Sequence, residues 1–219
     1  MIKQRLLPLD FAPTYAEEDF CISHCNIEAF LMLSKWPDWG SHALIIYGTA
    51  GSGKTHLAKI WQRRTKALNA NIDDIYGNHS QCFIFENAEN IQDETALLHL
   101  YNATKENNGY LLITSNLPPA ELNIKLPDLR SRINAVTTIR LGSPDNDILQ
   151  NVFIKLMTDR QLNIKPEIIN YIISYMPKSF SVLHEIVAII DKEAMEKKQK
   201  ITIPFIKQNL EHLLDLGLV

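Results

Sequence analysis

Apolar residues recur along the chain in two rhythms. Continuous apolar runs in ALIIY (43–47), CFIFEN (82–87) and YLLITSN (110–116) predict strands buried on both faces, as in a parallel sheet. The β-branched run AVTTIRL (135–141) predicts a last strand, and NIDDIYG (71–77) a short one. Between these runs the spacing becomes helical. Ile27, Phe30, Leu31 and Leu33 predict a helix over 26–36, with Asn26 as N-cap and Pro37 as its stop. Helices are also expected over 54–68 and 93–105, the second ended by Asn107-Asn108-Gly109. Beyond Gly142-Ser143-Pro144-Asp145 the only strand-like run is a brief KITI. Three or four amphipathic helices are expected there, at about 145–161, 166–175, 180–197 and 204–215. This order describes a parallel α/β domain over 14–142 and an all-helical lid domain over 143–219, behind an N-terminal tail at 1–13.

Composition narrows the classes. The 219 residues are 46% apolar and 21% charged, ordinary for a globular chain with a sizeable core. A net charge of −3 supplies no overall field for nucleic acid. No apolar run approaches the roughly 20 residues of a membrane span, and the N-terminus lacks the apolar stretch of a secretory signal. The expected compartment is therefore cytoplasmic. Cys21, Cys25 and Cys82, even with His24 and His79, fit no zinc spacing and read as buried or idle thiols. The tail raises a separate question, because QRLLPL carries three leucines before any expected element. Such a peptide packs on its own domain or sits in a partner.

The strongest chemical signal is GTAGSGKT, residues Gly48, Thr49, Ala50, Gly51, Ser52, Gly53, Lys54 and Thr55. It matches G-x-x-x-x-G-K-[ST] in full and lies between an expected strand and helix. Glycines at these places let backbone N–H groups turn inward around an anion. The helix N-terminus adds a fixed positive end. Lys54 then reaches the terminal phosphates and Thr55 ligates Mg²⁺. A magnesium-side carboxylate is expected at a neighbouring strand end, where CFIFEN offers Glu86. Asn87 follows it, and Asn cannot accept a proton at neutral pH, so hydrolysis in this site is not expected. Asn116, after the YLLITS run, places a hydrogen-bonding side chain near a γ-phosphate, or simply ends a strand. Arg130 and Arg132 in LPDLRSRIN precede the last strand, where an arginine reaches a nucleotide held by a neighbour or lies idle on the surface.

Together these segments resemble the DnaA branch of the AAA+ P-loop ATPases, and within it the small Hda-like regulators of the initiator. TSNLPPAELNIKLPDLRSRI (114–133) is similar to the branch's strand, Pro-Pro turn and arginine segment, and KITIPFIKQNLEHLL (200–214) to the regulators' last helix. DnaA continues into a helix-turn-helix DNA-binding domain, which is not expected here. The resemblance implies an AAA+ α/β domain with a helical lid, holding ADP or ATP with Mg²⁺. It implies that the base lies near Phe20, Ile22 and Asn26, and that His56 after the phosphate loop is also among the nucleotide-binding residues. It implies that Arg132 is the finger completing DnaA's ATP site in trans. Gln4, Leu7, Pro8 and Leu9 match a peptide that binds the DNA polymerase III sliding clamp, and Leu6 lies within it. DnaA and the clamp are the implied partners, with self-association possible and neither sequence-specific DNA binding nor a membrane involved. The lid sensor arginine of the branch is replaced by Ser181, with Lys178 as a substitute cation.

Two other readings remain at this point. A P-loop nucleotide kinase wants lid arginines for its acceptor, and the segment 145–215 has only Arg160. A helicase-loader-like AAA+ protein wants a helicase-binding extension in place of the clamp peptide.

Overall fold

A computed structural model describes residues 15–70, 81–197 and 200–210. The tail with Gln4, Leu6, Leu7, Pro8 and Leu9, and the strand expected at 71–77, lie outside these residues.

Among the described residues five parallel strands form one sheet: β1 Ala43–Tyr47, β2 Leu68–Asn69, β3 Cys82–Phe85, β4 Tyr110–Ser115 and β5 Thr137–Arg140, in the order β2-β3-β4-β1-β5. β1 lies between β4 and β5, with Ile45 opposite Ile113 and Thr138. Its apolar run follows from cover on both faces. Leu44 and Ile46 join the layer of helices α1 (Ile27–Ser34) and α2 (Lys54–Thr65). Ala43 and Ile45 join the opposite layer of α3 (Glu94–Glu106) and α4 (Pro127–Ala135). Successive side chains of one strand thus anchor two separate cores.

Three boundaries differ from the sequence reading. α2 ends at Thr65, because Lys66 turns left-handed at φ 57° and Leu68–Asn69 pairs with Phe83 and Ile84 as β2. The segment holding Arg130 and Arg132 is helix α4, so the last strand begins at Thr137. Pro127 opens α4, and Leu129 and Ile133, one turn apart, bury its inner face. The Glu94 carboxylate accepts the Lys125 and Leu126 N–H groups at 2.8 and 2.6 Å and fixes the approach to α4. KITI forms no strand, since Ile203 already opens the last described helix.

The lid comprises α5 Asn146–Asp159, α6 Pro166–Tyr175, α7 Phe180–Lys197 and α8 Ile203–Leu210. Asp145 caps α5 by accepting the Ile148 N–H at 2.8 Å. Phe153, Ile172, Leu183, Ile186 and Ile206 are fully enclosed at its centre. The segment before α1 ties the lid to the sheet layer. Asp19 pairs with Lys155, His24 Nδ1 lies 3.3 Å from Asp145, and Cys25 O accepts the Gly142 N–H at 2.8 Å. Asn26 does not cap α1. Its side chain closes back on the preceding loop, accepting from Ser23 N and donating to Cys21 O, both at 2.9 Å.

Candidate nucleotide-binding site

The phosphate-loop sequence lies between β1 and α2, with Gly48 N bonded to Ser115 O at 3.1 Å. Gly51 and Gly53 take φ of +72° and +100°, which side chains rarely adopt. At Gly51 space is also lacking, because a Cβ there would lie 1.9 Å from Ser179 Oγ. The lid closes on this point, since Phe180 N donates to Gly51 O at 2.8 Å.

Lys54 is buried and held by three oxygens: Gly48 O at 2.6 Å, Thr49 O at 3.0 Å and Asn116 Oδ1 at 2.8 Å. Burial lowers its pKa from the usual lysine value, against an opposing pull from the Glu89 carboxylate. Asn116 links the two groups. Its backbone N–H donates to Glu89 Oε2 at 3.0 Å, and its side-chain amide donates to Oε1. Thr55 Oγ1 donates to Glu86 Oε2 at 3.2 Å, bringing a hydroxyl and a carboxylate from different elements together. That pair suits Mg²⁺, which takes one or two protein oxygens beside phosphate oxygens. Among the described residues no group of three or more His, Cys, Asp or Glu side chains offers a metal site of its own.

A cavity of about 490 Å³ opens beside the loop, within the usual range for small-ligand sites. Ala50, Gly51, Gly53, Lys54, Thr55 and Asn116 line one part of it. Phe20 and His56 line another, with ring centroids 5.2 Å apart and edge to face. Val152, Lys155, Arg160, Phe180 and His184 enter from the lid. Burial lowers the pKa values of both His56 and His184. Each therefore resists carrying charge beside the aromatic wall.

Of the residues expected at the base end, Phe20 faces the cavity, and His56, expected among the nucleotide-binding residues, does so too. Ile22 points outward at 49% exposure, and Asn26 is spent on its own loop. Thr49 contributes its carbonyl to Lys54, and Ser52 is buried beneath the loop. Lys178 bonds Asn146 Oδ1 and, at 3.2 Å, Ile173 O, so it is committed to the lid. Sequence reasoning missed Tyr15, Asp19, Lys155 and His184, which line the cavity from elements far apart in the chain.

Arg132 lies elsewhere. Its guanidinium carbon is 5.8 Å from the Tyr101 ring centroid, and that ring packs at 4.4 Å on His42, just before β1. The phosphate loop leaves the other end of β1, whose five residues span about 16 Å. Arg132 is thus at the opposite end of the sheet from its own loop. Arg130, on the same helix, is exposed.

Residues 149–210 match the family "Hda, lid domain". The chromosomal replication initiator protein DnaA of Treponema denticola is 25% identical over 196 residues, covering 74% of this chain but only 41% of that one. Domain III of the Thermotoga maritima initiator DnaA superposes with a TM-score of 0.78 at 17% identity, over 93% of this chain and 98% of that one. The AMPPCP-bound DnaA of Aquifex aeolicus gives 0.69 at 17% identity, over 85% and 68%. The parallel sheet with its helical lid is therefore the AAA+ fold of DnaA domain III. The chain thus carries a segment that matches the Hda lid domain and is similar to DnaA in sequence and fold, which is consistent with an Hda-like, DnaA-related AAA+ protein.

Proposed function

We propose that this protein is a negative regulator of chromosomal replication initiation, acting on DnaA. It docks on the DNA polymerase III sliding clamp through Gln4, Leu6, Leu7, Pro8 and Leu9. It then supplies Arg132 in trans to the ATP site of DnaA and stimulates hydrolysis there. The observation that carries this reading is the position of Arg132, at the end of β1 opposite its own phosphate loop. An arginine so placed meets only a nucleotide held by another molecule. Such a finger stabilises the charge of the transferring phosphoryl group and accelerates the reaction by about 10³–10⁵-fold.

In its own site the protein holds ADP or ATP with Mg²⁺ as a ligand that sets its shape. The loop geometry, the Thr55–Glu86 pair and the kinship with a DnaA that binds AMPPCP support this. Asn87 beside Glu86 argues against rapid turnover, since a neutral amide activates no water. In the tail, Pro8 stiffens an extended peptide and lowers the entropy lost on docking, while Leu7 and Leu9 fill apolar pockets.

The test follows hydrolysis of ATP pre-bound to DnaA, with and without clamp loaded on DNA. This protein accelerates it only when the clamp and residues 4–9 are both present. Clamp binding without acceleration would remove DnaA as the partner.

A further inference from the structure

Ser181 occupies the place where the related proteins' lid arginine is expected, and its Oγ pairs with Ser179 Oγ at 2.8 Å over Gly51. The lid cations that do line the cavity are Lys155 and Arg160. Lys155 is committed to the segment before α1, through Asp19 and the Glu18 carbonyl at 3.3 Å. Arg160, at the end of α5, is more enclosed, with its side chain 11% exposed. Its Nη1 donates to Leu156 O at 3.0 Å, and its Nε lies 3.6 Å from Asp191 Oδ2 on α7. Asp191 is enclosed to the same 11%.

The path of α7 places Arg160 relative to the phosphates. The helix begins on the phosphate loop, where Phe180 N meets Gly51 O. His184, one turn on, also lines the cavity. Asp191 lies ten positions beyond Ser181, about 15 Å along the axis. Its partner Arg160 therefore faces the part of the cavity remote from the loop. A nucleotide with its phosphates on the loop directs its base and ribose there.

We propose that Arg160, oriented by Asp191, is the residue by which the lid recognises the base–ribose end of the bound nucleotide. This rests on the nucleotide reading given above. A guanidinium is a planar fork of donors, suited to ring-nitrogen and hydroxyl acceptors and to stacking on a base face. Two enclosed charges from different helices are costly to desolvate, and a hydrophobic pair would hold the lid as well. The place of Arg160 on the cavity wall gives the ion pair a use beyond packing. It also makes the nucleotide a strut between α5 and α7.

Calorimetric titration of ADP, ATP and inorganic pyrophosphate with Mg²⁺ tests this on the whole protein. Arg160→Ala should weaken ADP and ATP by the same factor, about tenfold or more, and leave pyrophosphate unchanged. Arg160→Lys should fall between wild type and Arg160→Ala. Asp191→Asn, which keeps the shape, should show a smaller loss of the same pattern, and Lys178→Ala none. Wild-type ADP affinity in Arg160→Ala would overturn the proposal. So would a loss confined to ATP, which marks a phosphate reader, or an equal loss of pyrophosphate, which marks general collapse of the site. Failure of wild type to bind either ADP or pyrophosphate would instead overturn the nucleotide reading, and this proposal with it.

Discussion

Arg132 and Asp128 are joined by two hydrogen bonds one turn apart on α4, Nε to Oδ1 at 2.9 Å and Nη2 to Oδ2 at 3.2 Å. The pair holds the guanidinium over Tyr101 on its own domain. Engagement with another molecule's phosphates exchanges one anion for another. Asp128→Ala removes the competing carboxylate. It should raise stimulation of DnaA at sub-saturating protein and leave the melting temperature unchanged, because exposed ion pairs add little stability. A stimulated rate below wild type would show instead that Asp128 presents the finger correctly.

Gly51 joins the phosphate loop to the lid. Gly51→Ala places a Cβ 1.9 Å from Ser179 Oγ and 2.6 Å from Ser181 Oγ, on a backbone at φ +72°. The lid must shift or the loop must change conformation. The expected cost is about 1–3 kcal/mol, seen as a lower melting temperature together with weaker nucleotide binding. Unchanged values of both would mean that the lid does not seat on Gly51 in solution.

His56 and His184 should make the protein acid-sensitive. Burial lowers both folded pKa values from the ordinary 6.5. The unfolded chain therefore takes up protons first as pH falls. Stability from these two groups is complete above about pH 6.5 and declines below it, toward the folded values. His184→Gln should flatten the dependence of melting temperature on pH below about 6.5. An identical slope in this variant would remove His184 from the account.

Much of the fold is legible in sequence because its signals are local. ALIIY, CFIF and YLLITS are apolar at consecutive positions, which suits a sheet covered on both faces. The glycines of the phosphate loop announce a backbone few other sequences adopt. Helix α4 was also within reach, since Pro127 with Leu129 and Ile133 carries a start and a buried stripe, but its nine residues leave little periodicity to read. β2 has only two residues and exists through pairing with β3, so no local pattern marks it. The site divides the same way. Lys54, Thr55 and Asn116 follow from motif and strand end. Arg160 and His184 reach the cavity only because the lid folds over the loop, Asp19 reaches it from the segment before α1, and Arg160 reads as an ordinary helix end until Asp191 is seen beside it. Ile22 and Asn26 mislead for the opposite reason, because they neighbour Phe20 in sequence while their side chains turn elsewhere.

The most direct measurement of the central claim is a single-turnover assay of ATP bound to DnaA, comparing wild type with Arg132→Ala on clamp-loaded DNA. Nucleotide affinity and clamp binding of the variant are measured alongside. Both should match wild type, because Arg132 lies at the far end of the sheet from the phosphate loop and outside the tail peptide. Stimulation should be lost, by about 10³-fold or more where the finger is limiting. A variant that accelerates hydrolysis as well as wild type would contradict the claim that Arg132 completes a partner's active site.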